Sequence, residues 1–189
     1  ELDLRVDAPD AAFAHFQQSL DLGGDADVAD GLVRAATDTG TLGIAEQILQ
    51  ARVNRAPDAA SLRALSRAAA AQGRPDEAAQ LAQRAATQAP RDRRTLEWFI
   101  DTLAATNNGP ALTQLADLLS TSGPGDPTAM YARLAVATVA QDPARVQTIA
   151  QELTAVRPAD PDVWNVLGRA RLALGDHAGA AAAFNTARS

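Results

Sequence analysis

Residues 160–187 read DPDVWNVLGRARLALGDHAGAAAAFNTA, and the spacing of Trp164, Leu167, Gly168, Gly175, Ala180, Phe184 and Ala187 inside that stretch decides the fold. Asp160-Pro161 is a helix start: a short carboxylate accepts hydrogen bonds from the free amides of a first turn, and proline at the first helical position leaves no amide unpaired. Gly175-Asp176-His177 interrupts the helical pattern, and a second apolar-periodic run carries it on to Ala187. The unit is two helices joined by a turn, with Gly168 placed to let them approach closely.

Upstream, the same punctuation recurs. Asp58, Asp92, Asp126 and Asp160 follow one another at intervals of 34 residues, so each is expected to begin a helix. Pro90, Pro124 and Pro158 stand two residues before the last three of these caps and close the preceding helices, while Pro57 stands one residue out of register. Second breaks fall halfway, at Gly73-Arg74-Pro75, Asn107-Asn108-Gly109-Pro110 and Gln141-Asp142-Pro143. A fixed 34-residue period with two helices per unit is the signature of a solenoid in which each unit covers its neighbour's apolar face. The units span 25–58, 59–92, 93–126, 127–160 and 161–189. Residues 1–24 carry Ala12, Phe16 and Leu20 at helical spacing before Gly23-Gly24, and are expected to form a leading helix, the second helix of a repeat that lacks its first.

The pattern of Trp164, Leu167-Gly168, Ala180, Phe184 and Ala187 resembles that of the tetratricopeptide repeat family, and the likeness extends back to Asp25. Residues 59–92 fit as well, with Leu62, Leu65, Ala78, Ala82, Ala85 and Pro90 in the apolar, small and turn slots. The resemblance implies an all-α fold, an α-solenoid with right-handed superhelical stacking of antiparallel helix pairs. Departures occur where Leu32, Ser66, Ile100 and Leu134 take the Gly168 slot, and where Ile44, Leu112 and Val146 take the slot of Ala78 and Ala180. Larger residues there are expected to splay the helices or alter their pitch.

Composition narrows the function classes. The charge is -6 and lysine is absent, so no basic tract exists to neutralise a nucleic-acid backbone, and nucleic acid is not expected as a partner. Cysteine is absent too, which removes disulfides, thiolate nucleophiles and cysteine metal sites. No apolar run reaches the roughly 20 residues that cross a bilayer. Aromatic residues make up 4% of the chain and alanine dominates, so the core must rest on close backbone approach between helices. Arginine as the only strong base and heavy alanine use fit a bacterial source, with a periplasmic or envelope placement favoured over the cytoplasm. Abrupt ends are read as those of a piece of a larger protein.

No catalytic constellation emerges. His15 and His177 belong to opposite ends of the array, and no phosphate loop, nucleophile elbow or paired-histidine helix is present. An enzyme is not expected, nor any cofactor or metal. The family resemblance implies a concave groove lined by the first helix of each unit, and its slots fall on Arg63, Arg67, Arg94, Glu97, Asp101, Tyr131, Asn165 and Arg169, with Ala29, Val33 and Ala36 in the first unit. Arginine forks grip carboxylates and tyrosine adds contact area at little entropic cost, so a protein or peptide with an acidic segment is the expected partner. The competing reading is an internal charge ladder, Arg63 with Glu97 and Arg67 with Asp101. The lysine-based grip on a chaperone's C-terminus known from the family is disfavoured here. Trp98 is expected to pack between units rather than to face a ligand. Two alternatives to a partner-binding scaffold stay open: a self-assembly module or spacer in an envelope or exopolysaccharide-export machine, and the regulatory region of a larger enzyme.

Overall fold

A computed structural model describes residues 15–16, 18–20, 26–121, 123 and 125–188, and every regular element among them is helical. Ala12, Gly23, Gly24 and Pro124 lie outside the described residues. The helices are α1 (Ala26–Thr39), α2 (Leu42–Arg55), α3 (Ala59–Ala71), α4 (Pro75–Gln88), α5 (Arg93–Ala105), α6 (Gly109–Ser120), α7 (Pro127–Val139), α8 (Pro143–Val156), α9 (Pro161–Ala173) and α10 (His177–Arg188). Contacts divide the molecule into two compact units, Glu1–Thr102 and Leu103–Ser189.

The four periodic aspartates cap helices as their spacing predicts. Asp58 accepts from the Ser61 amide at 2.8 Å, Asp92 from Thr95 at 3.0 Å, Asp126 from Thr128 and Ala129 at 2.7 and 2.9 Å, and Asp160 from Asp162 at 3.1 Å. The mid-unit breaks are just as regular. Gly40, Gly73, Asn107, Gln141 and Gly175 all take positive φ, between 53° and 82°, at the ends of α1, α3, α5, α7 and α9. A left-handed residue there turns the backbone round for the second helix.

In the first unit of the fold, α1 packs on α2 and α3, and α3 on α2 and α4. Its core is built from Leu32, Leu49, Leu62 and Leu65 set among Ala29, Ala36, Ala45, Ala64, Ala68, Ala78 and Ala85, all buried. Phe16 and Leu20, both helical, join that core, and a Cβ on Gly31 would lie 2.5 Å from the Phe16 ring. Arg52 of α2 donates to the Leu20 carbonyl at 3.0 Å and to Asp58 at 3.2 Å, tying the leading turn to the start of α3.

In the second unit, α7 packs on α6 and α8, and α9 on α8 and α10. Leu134, Ile149, Leu153, Val163 and Leu167 form its core with Ala137, Ala150 and Ala183. Gly168 behaves as the sequence predicts, since a Cβ there would stand 2.6 Å from the Phe184 ring.

The first repeat corrects the sequence frame by one residue. Its buried positions Ala29, Leu32, Val33 and Ala36 match Leu62, Leu65, Ser66 and Ala69 at an interval of 33 residues, and Gly40 precedes Gly73 by the same interval. Val33, not Leu32, therefore takes the slot of Gly168, and Ala45, not Ile44, faces it: Ala45 is fully buried whereas Ile44 is 50% exposed. The physical reason is a shorter connection. Ala56, Pro57 and Asp58 join α2 to α3, whereas four residues, Ala89 to Asp92, join α4 to α5.

Candidate functional site

The first-helix face of unit Glu1–Thr102 is organised around Arg63, whose side chain is 2% exposed. From α3 its guanidinium reaches the first helices on either side: Nη2 to Asp30 of α1 at 2.8 Å, and Nη1 to the α5 cap Asp92 at 3.2 Å and to Thr95 Oγ1 at 3.0 Å. The planar fork suits this role, because several donors in one plane can serve separate acceptors without desolvating a bare charge. Thr95 completes the network by donating its amide and hydroxyl to Asp92.

Beside it, Arg67 stands 4.8 Å over the Trp98 ring and 3.8 Å from Asp30. Trp98 is packed between repeats as expected: its indole N–H donates to Ser66 Oγ at 2.8 Å, and that hydroxyl donates to the Ala78 carbonyl at 2.6 Å. Ser66 thus fills a slot suited to glycine and satisfies its polar group in both directions. Arg94 pairs with Asp27 at 2.5 Å on the open surface, and Glu97 lies 3.9 Å from Arg93. Asp101 is exposed.

The expected ladder is present in principle but with other partners. Arg63 pairs with Asp30 and Asp92, and Arg67 leans on Asp30 and Trp98. Asp27 and Asp30, which carry the acidic half, were missed because the one-residue frame error put Ala29, Val33 and Ala36 in the groove slots; all three are core residues. The visible signal was Pro57, one residue out of register with the later prolines.

The cap carboxyls Asp58 and Asp92 are both held below their ordinary values. Burial pushes Asp92 up, but the hydrogen bonds of Thr95 and the charges of Arg63 and Arg94 outweigh it. Burial likewise opposes Asp58, and the Ser61 amide and hydroxyl together with Arg52 win. Arg94 is held above its usual range by Asp27.

In unit Leu103–Ser189 the first-helix face carries Tyr131, Asn165 and Arg169. Tyr131 is half-buried with the Arg157 guanidinium 5.8 Å from its ring centre, Asn165 is half-buried, and Arg169 is exposed. Trp164 donates its indole N–H to the Pro158 carbonyl at 2.8 Å and belongs to the packing. Among the described residues no group of three histidines or acids is placed to hold a metal ion, and no helix is long and apolar enough to cross a membrane. His15 is an exposed helical residue, and His177 opens α10.

Capped helical hairpins repeated at a fixed interval, with charged residues arrayed on their first helices, define an all-α repeat protein of the solenoid class. The tetratricopeptide repeat profile matches residues 31–93 and 140–189, more than half of the sequence, and the chain belongs to the tetratricopeptide repeat family. Members of this family generally serve as non-catalytic scaffolds that bind other proteins. Similar solved structures share the fold at low identity. BtubC of P. vanneervenii is 14% identical with a TM-score of 0.68, the match covering 97% of this chain and 91% of that one. A thermophilic tetratricopeptide repeat protein of Thermus thermophilus is 15% identical with a TM-score of 0.66, covering 86% and 90%. MamA of Desulfovibrio magneticus RS-1, from its residue 41 onward, is 15% identical with a TM-score of 0.59, covering 86% and 93%. No curated protein matches the sequence.

Proposed function

We propose that this chain is a protein-interaction scaffold whose working surface is the exposed face of its first helices, and that it performs no catalysis. The observation that carries the reading is the division of roles in the Arg63 network. Arg63 is buried on α3 and bonded to α1 and α5, so it holds the face rigid, while Arg94 and Asp101 stay exposed and Arg67 and Glu97 half-buried on the helices it fixes. A preformed face limits the ordering cost of binding. In the second unit Tyr131, Asn165 and Arg169 supply an aromatic, an amide and a cation on the same kind of helix.

The partner is a protein or peptide segment bearing carboxylates. The Asp27–Arg94 pair is exposed and screened by solvent, so an incoming carboxylate can exchange for Asp27 at small cost. Arg94 then provides a fork for bidentate binding. The test is capture of partners by the wild-type protein against two variants, R94E and R169E, each first shown to keep the wild-type helix signal and melting temperature. Loss of a retained protein in either variant supports the reading. Identical retention by all three places binding on another face. Retention of nothing but the protein itself, with mass rising with concentration, makes self-assembly the function instead.

A further inference from the structure

The turns that begin the second helices of three successive repeats are capped by Asn108, Asp142 and Asp176, at the same 34-residue interval. Each side chain accepts an amide of its first turn: Asn108 from Ala111 at 3.2 Å, Asp142 from Arg145 at 3.0 Å and Asp176 from Gly179 at 2.9 Å. Asn108 is the neutral member, and it forms the single Asn-Gly dipeptide of the sequence. Glycine after asparagine leaves the next backbone nitrogen unshielded, and that nitrogen can attack the side-chain amide.

Asn108 stands at φ -84° and ψ 67°, so attack requires a turn about its Cα–C bond, and the exposed end of a helix is where such a local opening costs least. Asn107 and Asn108 are exposed, and Asn107 holds a positive φ of 53°. Gly109 is the first residue of α6, where amides fall outside the helical ladder; its own N–H reaches only the Asn107 carbonyl at 3.0 Å, across a tight three-residue turn. The cap turns Asn108 Oδ1 toward the amide of Ala111. Attack at Cγ places negative charge on that same oxygen, where a helix N-terminus stabilises it.

We infer that Asn108 is a site of spontaneous deamidation in the folded protein. The Gly109 nitrogen forms a bond to Asn108 Cγ, the Cγ–Nδ2 bond breaks, and ammonia leaves carrying the proton lost by the Gly109 amide. Water then opens the five-membered succinimide. Hydrolysis of the bond from Cγ to the ring nitrogen gives aspartate, which reproduces the cap chemistry of Asp142 and Asp176 and adds a negative charge that the helix start favours. Hydrolysis of the bond from the backbone carbonyl carbon to that nitrogen gives isoaspartate, which lengthens the backbone by one carbon at the start of α6.

The intact 189-residue protein, aged in mildly alkaline buffer, tests this by peptide mapping for the amide-to-acid mass change and by enzymatic methylation of isoaspartate. The expected result is conversion at Asn108 ahead of Asn54, Asn107, Asn165 and Asn185, at a rate within several-fold of a synthetic peptide spanning residues 104–113. G109A should slow it several-fold while folding normally, because a Cβ on Gly109 meets nothing closer than Val139 Cγ1 at 3.8 Å. N108D should co-migrate with the aspartate product of the aged protein. Retention of the Asn108 amide in the folded protein while the peptide loses it overturns the inference, as does equal conversion in G109A.

Discussion

Arg63 sits where α1, α3 and α5 meet, and its substitution should be felt in all three. In R63M the Asp30 carboxylate, only 13% exposed, loses its nearer cation and keeps Arg67 at 3.8 Å, and breaking such a pair costs about 3 kcal/mol, at the low end of the usual range because Arg67 remains and Asp92 is 44% exposed. Adding D30N should recover most of that loss, since a neutral amide is cheaper to bury than an unpaired charge; urea midpoints of the single and double variants read the difference. Asp92 gives a pH signature. Its folded value lies below its unfolded one, so its contribution is complete above the unfolded value of about pH 4 and is lost as pH falls through the folded value. D92N keeps a capping side chain without the charge, and should flatten the acid limb of stability measured between neutrality and about pH 2. Gln141, at φ 53° where Gly40, Gly73 and Gly175 hold the matching turns, predicts that Q141G gains about 0.5–1 kcal/mol with an unchanged denaturant slope.

At the scale of the helical hairpin, Gly168 is the clearest case. Leucine there cannot be accommodated without moving Phe184, whose ring would lie 2.6 Å from the new Cβ, so α9 and α10 must part. G168L is expected to lose hydrogen-exchange protection over residues 161–188 before the rest of the second unit; uniform protection would show that the close approach is not what holds the pair. The helices and their caps were legible because aspartate, proline and turn residues mark each end, and capping chemistry is local. The pairing on the first-helix face was legible only in part. The type of residue was visible, but which acid meets which arginine depends on register, and one residue missing between Pro57 and Asp58 turns the α1 frame by about 100°. Counted at an even 34 residues, the slots fall on Ala29, Val33 and Ala36, which are buried, and pass over Asp27 and Asp30. By spacing Ser66 is a departure from glycine, and the bonds that compensate it, one donated to the Ala78 carbonyl and one accepted from Trp98, are tertiary facts with no trace in spacing.

For the molecule as a whole, the central claim is that the first helices hold a partner and the second helices support them. Small alanine-rich cores leave each hairpin dependent on its neighbours, so stability is distributed, and single surface changes on the first helices should alter binding without unfolding the protein. R94E fits that expectation, with an exposed side chain paired only at the surface; R63M does not, and serves as the contrast. The measurement that tests the claim most directly is the hydrogen-exchange footprint of a captured partner on the intact protein. New protection is expected in α3, α5, α7 or α9, weakened in R94E or R169E and unaccompanied by protection of α4, α6, α8 and α10. Protection confined to those second helices would contradict it.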